Sequence, residues 1–378
     1  MNTILVTGGA GFIGSHTVDA LVARGDRVRV LDSLDPQVHG PAGQLPAYWN
    51  PRAELVPGSV LDAEVWDRAL DGVEAVLHLA AAVGVGQSMY EIRRYVAVNT
   101  QATALLLEQL IRRRGTIKRL VVASSMSVYG EGQYHCARCG PVAPSLRSPE
   151  TIRRGVWEMA CPACGQPVEP RPTTEEKPLH PTSVYAITKR DQEELSLVIG
   201  QAYGLPVIAL RYFNIYGPRQ ALSNPYTGVV AIFSSRLRNG QPPMVFEDGR
   251  QTRDFIHVRD VARANLLALE SPAATTGVFN IGTGRAVSLL TLCTLLQKAL
   301  GQAIPPTIVG QFREGDIRHC YADTHRADEG LGFRASIAFE DGVRELAEWV
   351  GQQSAEDRVA QATQELLRQG LLKSPATE

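Results

Sequence analysis

Thr3-Ile-Leu-Val-Thr-Gly8-Gly-Ala-Gly11-Phe-Ile-Gly14 is the stretch whose reading decides the fold of this chain. A short apolar run enters a glycine turn, and an amphipathic stretch at 15–24 leaves it, closed by Gly25. The order is therefore strand, tight turn, helix. Glycines let the backbone turn sharply and approach a pyrophosphate closely, which then sits at the positive end of the helix. Gly8, Gly11, Phe12, Ile13 and Gly14 are the candidate contacts. Residues 27–31 read as a second strand, with Asp32 at its end and Ser33 after it. A carboxylate there accepts from a ribose 2′-hydroxyl and repels a 2′-phosphate, so the expected cofactor is NAD rather than NADP.

Further apolar runs at 53–56, 75–79, 120–123 and 207–212 alternate with helical patterns, as parallel crossover units require. The fold class is α/β, a Rossmann-type doubly wound parallel sheet. Ligands of such sheets gather at the carboxyl ends of the strands, which makes the segments His78-Leu79-Ala80-Ala81, Ser124-Ser125 and Asn214 candidates. His78 itself reads as a satisfied structural histidine.

A chain of 378 residues exceeds one usual domain, and 44% hydrophobic with 20% charged residues is a globular balance. A formal net charge of −1 leaves no footprint for nucleic acid or an anionic membrane. No apolar run has the length of a membrane span, so a cytoplasmic, reducing setting is expected. Four of the six cysteines fall in two pairs, Cys136-Ala-Arg-Cys139-Gly and Cys161-Pro-Ala-Cys164-Gly. In that setting two such knuckles predict one tetrahedral, structural zinc with no open position. His135 adjoins a knuckle as a bystander, and Cys293 lies in a helical pattern as a core residue.

Tyr185-Ala-Ile-Thr-Lys189 sets a phenol and an ammonium one helical turn apart. A neighbouring cation favours a phenolate, which can take a proton from an alcohol while a cofactor takes the hydride.

Taken in order, these segments resemble the extended short-chain dehydrogenase/reductases of the nucleotide-sugar epimerase and dehydratase group. The matching stretches are Gly8 to Gly14, His78 to Ala81, Ser124-Ser-Met-Ser-Val-Tyr-Gly130, Tyr185 to Lys189, Arg211-Tyr-Phe-Asn-Ile-Tyr-Gly-Pro-Arg219, Arg253-Asp-Phe-Ile-His-Val258, Asn280-Ile-Gly-Thr-Gly284 and Arg313-Glu-Gly-Asp316. The resemblance implies a catalytic set of Ser125, Tyr185 and Lys189. It also implies a cofactor site that takes in Ser59, Val60, Leu79, Ala80, Ala81, Asn99 and Tyr212, although Ser59 stands where the family usually has an aspartate. Asn214 with Arg253 and Arg313 would hold the diphosphate, because guanidinium forks match phosphate oxygens, and Asp316 would accept from the nucleotide ribose. Similar dehydratases carry Asp-Glu where this chain has Met126 and Ser127, so elimination of water is not expected. Cys320 falls where similar epimerases border the sugar, implying a tolerant pocket.

The expected organisation is an NAD-binding domain at 1–218 and 251–285, a zinc-knuckle insertion at 131–178, and a nucleotide-sugar lobe at 219–250 and 286–352. A helical extension at 353–378 follows; its stripe of Val359, Ala362, Leu366 and Leu367 reads as packing. The two-knuckle insertion most resembles that of dTDP-L-rhamnose 4-epimerases. The implied function is an NAD-dependent 4-epimerase working through a transient 4-keto sugar. A UDP-hexose or UDP-hexuronate 4-epimerase, a net dehydrogenase and a silent nucleotide sensor with a zinc-knuckle interaction module are the alternatives. Family members commonly dimerise through helices corresponding to 91–114 and 185–203, so a homodimer is expected.

Overall fold

The computed structural model describes residues 3–40, 43–272, 275–313, 315–353 and 356–374; Glu314 of the Arg313–Asp316 motif lies outside them. Seven parallel strands form the main sheet: β1 (Thr3–Thr7), β2 (Arg27–Asp32), β3 (Glu54–Pro57), β4 (Ala75–His78), β5 (Arg119–Ser125), β6 (Val207–Tyr212) and β7 (Gly277–Ile281). Their spatial order is β7-β6-β5-β4-β1-β2-β3. The order reverses at β1, and that reversal opens the crevice where doubly wound sheets bind ligands. β7 is a strand that apolar patterning does not reveal, because Asn280 interrupts it; Asn280 pairs in register with Arg211 of β6.

Period-two alternation puts successive residues on opposite faces, and both faces are buried. Ile4, Val6, Val30, Leu77, Val121 and Ile208 face one side, against α1 (Phe12–Arg24) and α6 (Val258–Glu270). Leu5, Leu31, Val76, Val122 and Ala209 face the other, against α2 (Ala63–Leu70), α3 (Ala102–Arg112) and α4 (Val184–Tyr203). Each fully buried aliphatic side chain is worth roughly 1.5–3 kcal/mol, so the two apolar layers hold the strand ends rigidly in place.

A second apolar cluster gathers α5 (Val229–Arg238), α7 (Leu289–Leu300) and α8 (Phe339–Gly351) around Phe233, Leu237, Leu292, Cys293 and Leu346. Between β5 and α4 the chain makes a small antiparallel sheet of Gln133–Cys136, Gly140–Val142 and Glu169–Arg171. After α8 come α9 (Val359–Arg368) and a short strand, Leu372–Lys373, which pairs with Phe312–Arg313. Among the described residues no helix is long and apolar enough to cross a membrane.

Candidate active site

The carboxyl ends of β1, β2, β4, β5 and β6 open on one cavity of about 650 Å3. Of the cofactor, catalytic and substrate candidates derived from sequence, all but Asn99 line it. Gly8 has a φ of +69°, and a β-carbon there would stand 3.0 Å from the Ala80 backbone. At Gly14 a β-carbon would lie 2.1 Å from the Gly8 carbonyl oxygen, so α1 passes directly over the turn. That helix begins at Phe12, three residues before the amphipathic pattern suggests, and no side chain caps it. Its first-turn N–H groups are thereby left for an anion, which is the fit a pyrophosphate needs. Asp32 accepts from the Ala10 and Leu34 N–H groups at 3.0 and 2.9 Å, fixing its carboxylate at the mouth of the turn.

Asn99 stands behind the wall. A π-helical segment, Val96–Gln101, turns its amide inward to accept from the Ala82 N–H at 2.8 Å and donate to the Ala82 carbonyl and the Thr188 hydroxyl. It braces the loop after β4 rather than facing the cavity. His78 is fully buried between the Thr7 and Thr103 hydroxyls, and burial pulls its imidazole down to about 3. It is the satisfied structural histidine that its place in the strand suggests.

Ser125 ends β5, and Tyr185 and Lys189 lie in the first two turns of α4, whose N-cap is Ser183. The Ser125 oxygen accepts from the Ser127 N–H at 3.2 Å and the Ser127 hydroxyl at 2.9 Å, and it hydrogen-bonds Tyr185. Ser125 therefore both caps a turn and faces the Tyr185 phenol. Burial pushes the Tyr185 phenol up to about 12, against the pull of its Ser125 bond. Burial pulls the Lys189 ammonium down to about 7, while its Nζ donates to the Ala123 carbonyl at 2.9 Å. The spacing leads one to expect a phenol lowered by its neighbouring cation. Desolvation sets the direction instead, and the Ser125 hydrogen bond is what opposes it.

Beneath this trio runs a buried network that the motifs did not disclose. The Ser124 hydroxyl donates to Glu193 at 2.6 Å, and Glu193 pairs with Arg211 at 2.5 Å. Arg211 also donates to the Tyr129 hydroxyl, which donates to Asn280. Three of the resemblance-bearing stretches thus meet in one brace under Ser125. The available signal was the repeat Tyr185, Lys189, Glu193 along one helical face. Asp254 is another brace: its carboxylate accepts from Thr283, Gly284 and Ala322 N–H groups.

On the substrate side the amide oxygens of Asn214, Gln220 and Gln251 are buried on the cavity wall without partners among the described residues. Buried polar atoms left unpaired are costly, and a polar ligand would satisfy them. Arg253 spends N–H groups on the carbonyls of Thr252, Ile317 and Arg318, which hold its guanidinium at the wall. Arg313 pairs with Asp316 at 2.9 Å and lies over the Phe246 ring. The Tyr212 hydroxyl is committed to Asn265, and the Ser59 hydroxyl accepts from the Leu61 N–H. Cys320 departs from expectation: it is buried with Met126, Tyr129 and Phe213 and its thiol meets Thr173, so it gives the pocket no extra width.

In the insertion, the four sulfurs of Cys136, Cys139, Cys161 and Cys164 lie within 4.8 Å of one another. Thiolates around a tetrahedral zinc at about 2.3 Å stand roughly 3.8 Å apart, so the set fits that ion. The Arg138 and Cys139 N–H groups bond the Cys136 sulfur, and that of Gln166 bonds Cys164. Gly140 and Gly165, at φ values of +77° and +72°, let the backbone fold back around the sulfurs. His135 is not among the four ligands.

A glycine turn against an uncapped helix, an acid at the second strand end and a Ser–Tyr–Lys trio on the cavity wall define a dinucleotide-dependent enzyme acting on a hydroxyl carbon. The chain belongs to the NAD dependent epimerase/dehydratase family, whose pattern matches residues 4–147 and 159–282. It is 37% identical to the dTDP-L-rhamnose 4-epimerase of Burkholderia thailandensis, over 93% of this chain and 95% of that one. Among solved structures it resembles Thermotoga maritima UDP-glucose 4-epimerase with UDP-glucose (TM-score 0.75, 34% identity, 93% of this chain and 99% of that). It also resembles the Thermus thermophilus UDP-glucose 4-epimerase complex with NAD (TM-score 0.72, 30% identity, 93% and 100%).

Proposed function

We propose that this protein is an NAD-dependent 4-epimerase of a dTDP-6-deoxyhexose such as dTDP-L-rhamnose. The observation that carries the reading is the single cavity joining the glycine turn, the Ser125–Tyr185–Lys189 trio and the unpaired Asn214 amide. Bound NAD supplies a reversible hydride acceptor whose oxidised ring is positively charged, a charge that favours the phenolate of Tyr185. Tyr185 removes the proton from the C4 hydroxyl of the sugar, Ser125 donates to the same oxygen, and Lys189 stabilises the phenolate. Gly8, Gly11, Phe12, Ile13 and Gly14 hold the pyrophosphate of the cofactor and Asp32 its ribose.

Asn214, Arg253 and Arg313 anchor the nucleotide diphosphate, and Asp316 the ribose. Binding energy spent there leaves the 4-keto sugar free to turn in the pocket and to accept the hydride on its other face. Met126 and Ser127 offer no carboxylic acid to expel a hydroxyl, which sets this site apart from a dehydratase. The likeness to the Thermotoga enzyme with UDP-glucose supports UDP-hexose epimerisation as the second reading.

Zinc at Cys136, Cys139, Cys161 and Cys164 closes the insertion, its role structural. Two copies pair through α4 and the helical segment before α3, where Ile92, Val96, Ile187, Leu195 and Val198 are exposed. A cytoplasmic setting suits reduced cysteines. Incubating the purified protein with dTDP-, UDP- and GDP-sugars without added NAD tests the function. The reading requires a 4-epimeric product, with dTDP-L-rhamnose the best substrate; no epimer from any sugar would refute it.

A further inference from the structure

The stripe on α9 does more than pack. Val359, Ala362, Thr363 and Leu366 line the main cavity, whereas the adjacent Leu367 is exposed. We infer that α9 is a wall of the nucleotide-sugar pocket and that Leu366 selects the substituent carried at C6 of the sugar, an inference that rests on the epimerase reading.

Three contacts fix where this wall stands. Asp357, just before α9, pairs with Arg236 of α5 at 2.9 Å. At the other end of the helix, Leu366 reaches the loop after β4: a β-carbon on Gly86 would lie 3.3 Å from the Leu366 Cδ2. Two residues farther along that loop, the Ser88 hydroxyl oxygen accepts the Tyr185 N–H at 3.0 Å. The Leu366 end of α9 therefore borders the reacting end of the cavity. The chain then returns as Leu372–Lys373, paired antiparallel with the Phe312–Arg313 strand, beside the proposed diphosphate anchor.

Three of the four wall residues, Val359, Ala362 and Leu366, are apolar. The fourth, Thr363, commits its hydroxyl proton to the Val359 carbonyl at 2.8 Å. A hydroxyl at C6 set against Leu366 would lose water without gaining a partner from that side chain, while a C6 methyl would be buried favourably. A pocket of this kind discriminates by tenfold or more for one group changed.

The test uses dTDP-L-rhamnose and dTDP-L-mannose, which differ only at C6, with the full-length wild type, Leu366→Gln and Leu367→Gln. The wild type should favour the 6-deoxy sugar in kcat/KM. Leu366→Gln should move that preference about tenfold toward the C6 hydroxyl, mostly through KM, with NAD content unchanged, and Leu367→Gln should leave it alone. An unchanged ratio in Leu366→Gln, or an equal shift in Leu367→Gln, would overturn the inference. If the wild type epimerised neither sugar the function itself would fall. The same ratio of affinities, measured by calorimetry with the two dTDP-sugars, would still decide the role of Leu366.

Discussion

The Tyr185 phenol and the Lys189 ammonium are both enclosed by α4 and the end of β5, and desolvation governs each. Tyr185→Phe removes the proposed proton acceptor but keeps the ring that meets Tyr95 edge-on, so fold and NAD content should survive. Turnover should fall by about 10²–10⁴, the range for a lost acid–base group, in a steady-state assay. Lys189 carries a pH signature of its own. Its folded value near 7 lies below the ordinary 10.5 of an unfolded chain, so its contribution is fully present above 10.5 and is lost as pH falls toward 7. Denaturant titration of the cofactor-free protein at pH 7.5 and 9 should show the wild type gaining about 2 kcal/mol relative to Lys189→Met. No difference in pH dependence would mean that the ammonium is not desolvated.

Among the elements, the insertion is tied to the proposed substrate lobe by the ion pairs of two buried arginines. Arg147 grips Glu247 with two bonds of 2.7 and 3.0 Å, and fully buried Arg318 binds Glu247, Asp248 and Glu158. Glu247 is a non-glycine residue at a φ of +54° on the cavity wall, a conformation held by these partners. Metal binding supplies folding free energy to such a small element. Metal analysis should therefore find one zinc per chain. Cys161→Ser should lose it, become protease-sensitive between residues 131 and 178, and bind nucleotide sugar more weakly with NAD retained. An unchanged zinc content would remove the metal from the account.

At this scale the sequence was legible where a pattern is local. The glycine turn, the helix bearing Tyr185 and Lys189 and the two knuckles each rest on residues a few positions apart. Contacts between distant segments left no such trace. Asn280 in β7, the Glu193–Arg211 pair and the cavity face of α9 depend on partners up to hundreds of residues away. Cys320 misled for the same reason, since Thr173 and Tyr129 bury it from across the chain.

For the whole molecule, Ile92, Val96, Ile187, Leu195 and Val198 stand exposed on α4 and the helical segment before α3, and the proposed pairing of two copies would cover them. Val198 is 63% exposed there. Val198→Glu should shift sedimentation from dimer to monomer with little loss of secondary structure, and an unchanged state would place the subunit contact elsewhere. The central claim concerns one hydrogen that leaves C4 and returns to the same carbon. Mass spectrometry of the product from dTDP-L-rhamnose deuterated at C4, turned over without added NAD, reads that path directly. The account predicts a 4-epimer that keeps its deuterium at C4. Loss of the label, or a 4-keto product released with reduced cofactor, would contradict it.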